Sequence, residues 1–301
     1  MNTMESEEGS VGPLREALMV CAAAGMSGTL RVTGDPGGAI HLTDGRVAAI
    51  ETPGAPGPEV LLLRSHRVTE AGWDDAFAAA ATSGGRMSAE LVRRAMVGSG
   101  ELEGLLRTAL ADAMFVLASG TVEEYRAEPG PVECALPLEP GAEPDGLLAE
   151  ASRRIRVLAA LPGRNDRGRL RVVAMPVPPG VRLGEGQDEI LALADGRRSP
   201  RDLAFALGRG VYATMLLLVR MQQAGLLVPV SARAFAAAAR TPGRTGSGGE
   251  PQDVGGLPQR QRDLPAPSRR LRAPGRLPER LMPLGLLRPR TGRDVSPGET
   301  S

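Results

Sequence analysis

The sequence predicts an α+β protein: a small antiparallel sheet with a helical repeat inserted after it, then a winged helix-turn-helix, then a disordered tail. Three observations lead there. Residues 27–52 alternate apolar and polar side chains between glycine turns, residues 57–119 repeat themselves, and residues 187–230 carry three helical patterns and a short strand with almost no slack. A chain of 301 residues, 42% of them hydrophobic, is long enough for about two domains with real cores.

Residues 1–12 (MNTMESEEGSVG) are expected to be disordered. This acidic start lacks the basic and apolar segments of a secretion signal, and no apolar run reaches the length of about 18 residues that a membrane span needs, so the expected location is the cytoplasm, with no membrane partner. Pro13 to Ala24 forms a helix with Leu14, Leu18, Val20 and Cys21 inward. Cys21 and Cys134 lie far apart without metal spacing and are expected as buried, reduced thiols.

Three antiparallel strands follow in SGTLRVTGDPGGAIHLTDGRVAAIET. Leu30 and Val32, Ile40 and Leu42, and Val47 and Ala49 alternate with polar residues, and the turns fall at Gly34-Asp35-Pro36-Gly37-Gly38 and at Asp44-Gly45, a type I′ signal. No GxxxxGK[ST] opens a helix here, so the glycines are turn chemistry and not a phosphate loop. Ser27-Gly28-Thr29-Leu30, Ile40-His41-Leu42 and Asp44-Gly45-Arg46-Val47 together resemble the PATAN domain, a bacterial module patterned as a helix, "SGxLxV", "GxIxFxDGxLxxA" and further helices. Leu42 stands where that pattern has an aromatic. The resemblance implies a PATAN-like domain over 13–130 that serves signalling and protein interaction without catalysis.

The repeat aligns Leu62-Leu63-Arg64-Ser65-His66-Arg67-Val68 with Leu91-Val92-Arg93-Arg94-Ala95-Met96-Val97 at an offset of 29 residues. Each copy continues into a longer apolar-striped helix, so a small helical bundle over 57–119 is expected. The second copy, starting Arg86-Met87-Ser88-Ala89-Glu90-Leu91-Val92, is similar to the "RLGxxLV" motif of the N-terminal domain of type II secretion ATPases, which holds cyclic di-GMP. Ser88 and Ala95 replace that motif's glycines, Ala109 replaces its glutamine, and Gly57 replaces the first copy's arginine. Since glycine lets backbone approach the ligand, cyclic di-GMP is not expected to bind. Trp73 and Phe77 read as core, His41 and His66 as structural or surface residues. A helix through Ala109 to Leu117 leads into Thr121–Arg126, expected to return to the sheet as a strand.

Residues 131–168 read as a connector, rich in Pro and Gly at first and then carrying a bridging helix over 146–161 with Leu147, Leu148, Ala151, Ile155 and Leu158 on one side. That helix reads as a solvated basic face or as a docking and dimer helix. Residues 169–240 form the expected winged-helix domain, beginning with a strand in Leu170–Val177. Its first helix takes Glu189, Ile190, Leu191, Leu193 and Ala194 as its inward set and stops at Asp195-Gly196; Ser199 caps the second, with Pro200 at its first position and Leu203, Ala206 and Leu207 on one face. Gly208-Arg209-Gly210 is the turn, the third helix runs from Val211 to Ala224, and Leu226-Leu227-Val228 is the closing strand. The spacing ahead of this unit is similar to bacterial regulators that join a PATAN module to a C-terminal winged helix. One more helical run, 231–240, precedes the Pro/Gly/Arg-rich residues 241–301, whose composition cannot offset chain entropy.

Neither GxSxG nor HExxH occurs, and no cluster has metal-ligand spacing, so no catalytic residue, metal or cofactor is expected. The expected function is a DNA-binding transcriptional regulator, by analogy with what winged helices do. Arg197, Arg198, Arg201, Arg209 and Arg220 would hold phosphates of double-stranded DNA, while Tyr212, Thr214, Gln222 and Gln223 would approach bases or backbone. All 36 basic residues are arginine, which with the wealth of Ala, Gly and Pro is first a matter of composition, and the net charge is only +1. The alternative is a protein–protein adaptor or dimerising scaffold that leaves DNA alone. Met215, Leu216, Leu217, Leu218 and Met221 cover more than one face of the third helix, which suits a homodimer interface as well as a core.

Overall fold

The computed structural model describes residues 8–132, 134–161, 168 and 170–230. The expectations for residues 1–7, 231–240 and the tail lie outside them. Helix α1 (Glu8–Ala23) begins at Glu8 rather than at Pro13, so residues 8–12, expected as disordered, belong to the first helix.

The sheet is mixed in no respect: all its pairs are antiparallel. Strands β1 (Gly28–Asp35), β2 (Gly38–Thr43) and β3 (Arg46–Glu51) form a meander, and β4 (Thr121–Pro129) returns beside β1 to give the order β3-β2-β1-β4. Asp44 (φ 49°) and Gly45 (φ 77°) are both left-handed, the backbone that a type I′ turn requires. Leu30, Val32, Ile40, Leu42, Val47 and Ile50 cluster with Leu14 and Leu18 of α1, so the alternation read in β1 and β2 fills one side of the sheet, while in β3 the core takes Val47 and Ile50 rather than Val47 and Ala49, beside the register shift at His41/Leu42. Fully burying each such side chain contributes about 1.5–3 kcal/mol.

Helices α2 (Pro58–Arg64) and α3 (Glu70–Ser83) are repeated as α4 (Met87–Arg93) and α5 (Ser99–Ser119). The repeat holds down to the backbone. His66 (φ 57°) and Ala95 (φ 54°) adopt the same left-handed conformation after the short helix, and Arg67 N–H to Leu62 O matches Met96 N–H to Leu91 O. Leu62 and Leu91, then Val68 and Val97, are buried in equivalent places. Trp73 is in the core as expected, but Phe77 is 51% exposed, because α3 buries the stripe Trp73, Ala76 and Ala80 and Phe77 falls beside it.

The proline- and glycine-rich part of the connector runs along the sheet. Val47 and Ala142 exchange backbone hydrogen bonds of 2.9 and 2.8 Å, and Leu138 N–H donates to Ala48 O at 2.8 Å, so the proline-rich run covers the β3 edge of the sheet. Leu136 and Leu138 are buried there. Helix α6 (Pro144–Ala160) packs on α5 and α1 through Leu147, Leu148, Ala151 and Leu158 and leaves Arg153 and Arg156 exposed, the solvated basic face of the two readings.

In the last part, α7 (Gln187–Leu193), α8 (Pro200–Leu207) and α9 (Val211–Gln223) precede β6 (Leu227–Pro229), which pairs antiparallel with β5 (Val172–Ala174). Ser199 and Asp202 form a reciprocal capping box with Pro200 in the first turn of α8, and the chain bends by 114° between α8 and α9. A second core gathers Val172, Ile190, Leu203, Leu218, Met221 and Leu227, while Ala204 and Val211 join the first core instead. Among the described residues no single helix is long and apolar enough to cross a membrane.

Candidate functional site

The point where the two cores meet is built around one carboxylate. Asp112 sits in the middle of α5, in the run ALADAMFVLA, and is 3% exposed. A charge in such surroundings persists only with partners. Asp112 Oδ2 accepts the Val211 N–H at 2.6 Å and Oδ1 accepts the Tyr212 N–H at 2.9 Å.

Those amides are the first two of α9, which otherwise have no acceptor within their helix. Gly210 at the N-cap offers no side chain, so a residue about a hundred positions earlier supplies the cap. A Cβ on Gly210 would lie 3.2 Å from the Asp112 carboxyl carbon, close enough to push the carboxylate by a few tenths of an ångström. Negative charge at a helix N-terminus is also favoured by the helix dipole.

Arg154 of α6 completes the arrangement. Its Nη1 is 3.7 Å from Asp112 Oδ1, its Nε donates to Glu150 Oε1 at 2.8 Å, and its guanidinium carbon lies 4.9 Å from the centre of the Tyr212 ring. Tyr212 also meets Phe115 edge to face, centroids 5.4 Å apart. Burial pushes the Asp112 carboxyl above its ordinary value, against the pull of the two backbone hydrogen bonds and of Arg154. Glu150 goes the other way: hydrogen bonds from Arg153 and then Arg154 hold it down at about 2.

The turn between α8 and α9 is seated just as closely. Gly208 (φ +59°) closes α8, and a Cβ there would fall 2.6 Å from Arg64 Cβ and 2.9 Å from Ser65 N at the end of α2. The glycines of Gly208-Arg209-Gly210 therefore serve two purposes, the turn itself and its contact with the first repeat and with Asp112.

The residues expected to touch DNA fall into three groups. Thr214 is 1% exposed with its hydroxyl donating to Gly210 O at 2.9 Å, and Tyr212 is held between Arg154 and Phe115, so the expectation that they face a duplex is corrected by this arrangement. The helical period that buries Val211, Leu218 and Met221 carries Thr214 inward with them. Arg198 pairs with Asp195 at 2.9 Å and Arg209 with Glu189 at 3.1 Å, so both guanidinium groups already have a carboxylate. Arg197, Arg201 and Arg220 make no side-chain hydrogen bond or ion pair among the described residues; Arg220 and Gln223 are exposed on α9, whereas Gln222 is half-buried. Exposed arginines therefore remain, but the first turn of the helix that would enter a groove is occupied.

The apolar breadth of α9 that suggested a second copy is also used internally: Met215 and Leu216 pack on the first core, Leu217 on the second, and Leu218 and Met221 are inside. No three His, Cys, Asp or Glu residues among those described are grouped to hold a metal. His41 lies buried in the sheet with Nδ1 3.0 Å from Thr29 Oγ1, a structural position. Cys21 and Cys134 are free thiols, both pushed up by burial, Cys134 to about 11 with a further contribution from Glu51.

Sequence reading missed Asp112, Phe115, Glu150 and Arg154. A lone acid in an apolar helix was the available signal for Asp112, and a helix opening on glycine, with no capping side chain, was the signal at Gly210. Comparisons with protein-family models, with curated proteins and with solved structures find no match to this chain.

Proposed function

We propose that this protein is a non-catalytic regulatory adaptor. In this reading a winged helix-turn-helix lies face down on a PATAN-like domain, and the joined surface serves as a docking platform for protein partners of a signalling pathway. The observation that carries it is the cap from Asp112 onto the Val211 and Tyr212 amides. A helix whose first turn is satisfied by a buried carboxylate from its own chain cannot offer that turn to a phosphate or a base edge without breaking two charge-assisted hydrogen bonds. The internal use of the apolar faces of α9 supports a fixed arrangement rather than two modules on a tether.

The expected result is that the full chain leaves the anisotropy of a labelled generic duplex unchanged at low salt, where non-specific attraction is strongest. A second reading, a DNA-binding transcriptional regulator, is favoured by Arg197, Arg201 and Arg220, whose guanidinium groups have no ion-pair partner among the described residues. Under it the same titration rises, and Arg197→Ala with Arg201→Ala weakens it, each phosphate contact adding about −0.9 to the log–log salt slope. That outcome would displace the adaptor reading.

A further inference from the structure

A cleft of about 570 Å³ opens between the sheet domain and α8. Its lining is largely apolar and includes Leu106 of α5, Trp73 of α3 and Phe205 of α8. The charged groups at its margin are Glu51, Glu59, Arg201 and Asp202. Asp202 is committed to the capping box, accepting from the Ser199 N–H at 2.8 Å and its hydroxyl at 2.7 Å. Glu59 has no hydrogen bond or ion pair among the described residues, and Glu51 has only His41 Nε2, at 3.7 Å. The lining thus holds two available carboxylates, one available guanidinium and two aromatic side chains.

The Cys134 thiol, also in the lining, reports the same local sign: besides burial, Glu51 makes its ionisation harder. Apolar volume, aromatic faces and surplus carboxylate are together what recognises a positively charged group on a hydrophobic body.

We propose that this cleft binds an amphipathic organic cation, with its apolar body against Trp73, Leu106 and Phe205 and its charge near Glu51 and Glu59. Because the lining comes from α8 as well as from β3, α3 and α5, such a ligand touches both parts of the chain. The proposal is independent of whether the partner of the whole protein is another protein or DNA.

Trp73 is the chain's single tryptophan, so its emission reports on the cleft without labelling. The full-length protein is titrated with tetraphenylphosphonium and, separately, with tetraphenylborate, which has nearly the same shape and the opposite charge. Saturable change of Trp73 emission is expected with the phosphonium, at an affinity about tenfold above the borate, the order of a Coulomb pair near a protein surface. Glu51→Gln with Glu59→Gln should erase that preference while leaving the far-ultraviolet circular dichroism unchanged, since both side chains are exposed. No saturable response, equal affinity for the two ions, or tighter borate binding would overturn the proposal.

Discussion

Replacing Asp112 by Ala tests the joint between the two cores directly. The substitution removes the acceptor of two backbone amides, Val211 N–H at 2.6 Å and Tyr212 N–H at 2.9 Å, in a place that water does not reach freely. Hydrogen bonds to a charged partner contribute about 1.5–3 kcal/mol each, so the two together set an upper range of about 3–6 kcal/mol. Against this stands the cost of keeping a carboxylate buried, visible in its raised pKa, which the alanine no longer bears. The expected net loss is about 2–4 kcal/mol. Urea denaturation measures the total, and amide hydrogen exchange at residues 211 and 212 shows whether the loss falls at the start of α9. An alanine variant with an unchanged midpoint and unchanged protection of these amides would refute the reasoning.

Further expectations follow from the same contacts. Asp112→Asn keeps one acceptor oxygen and removes the titration; because the native carboxyl is raised above 3.8, its contribution in the natural protein is full below that value and is lost as pH rises through the native pKa. The deficit of the asparagine variant in urea should accordingly be largest in acid and shrink towards neutral pH. Gly208→Ala places a Cβ 2.6 Å from Arg64 Cβ in left-handed backbone and should cost about 2–3 kcal/mol, whereas Gly225→Ala, also left-handed (φ +71°) but with nothing within 4 Å, should cost about 1 kcal/mol; equal losses would show that the turn does not bear on α2. Glu150 titrates at about 2, so its pairing with Arg153 and Arg154, present above the ordinary value of 4.5, is lost only as pH falls through about 2. A carboxyl carbon NMR titration with its midpoint near 4.5 would contradict that.

Much of the fold was legible because its causes are local. Alternation in Leu30, Val32, Ile40 and Leu42 marks a strand whatever lies against it, and Asp44-Gly45 names its own turn. Ser199 and Pro200 are adjacent, so the start of α8 could be read directly, and the structure adds Asp202 as the reciprocal partner of Ser199. The internal repeat was equally open to reading, since two copies of one pattern fold to one backbone, with His66 and Ala95 in the same left-handed place. The connector was read less well: Pro and Gly exclude a helix, but they do not say whether the extended chain runs through solvent or along a sheet edge.

The strands and their turns, the doubled helix pair and the Ser199 cap of α8 follow from residues close together in the chain, and so were open to reading without coordinates. Which side of α9 is free depends instead on what the folded chain packs against it. The arginines of residues 197–220 and the polar residues of the third helix look like a nucleic-acid surface in one dimension, yet Asp112 of α5 and Arg154 of α6 take its first turn and its tyrosine. A hydrogen bond between groups about a hundred residues apart leaves no period, spacing or turn signature; it exists only once α5 and α9 are packed together, and the two amides it uses are then already paired.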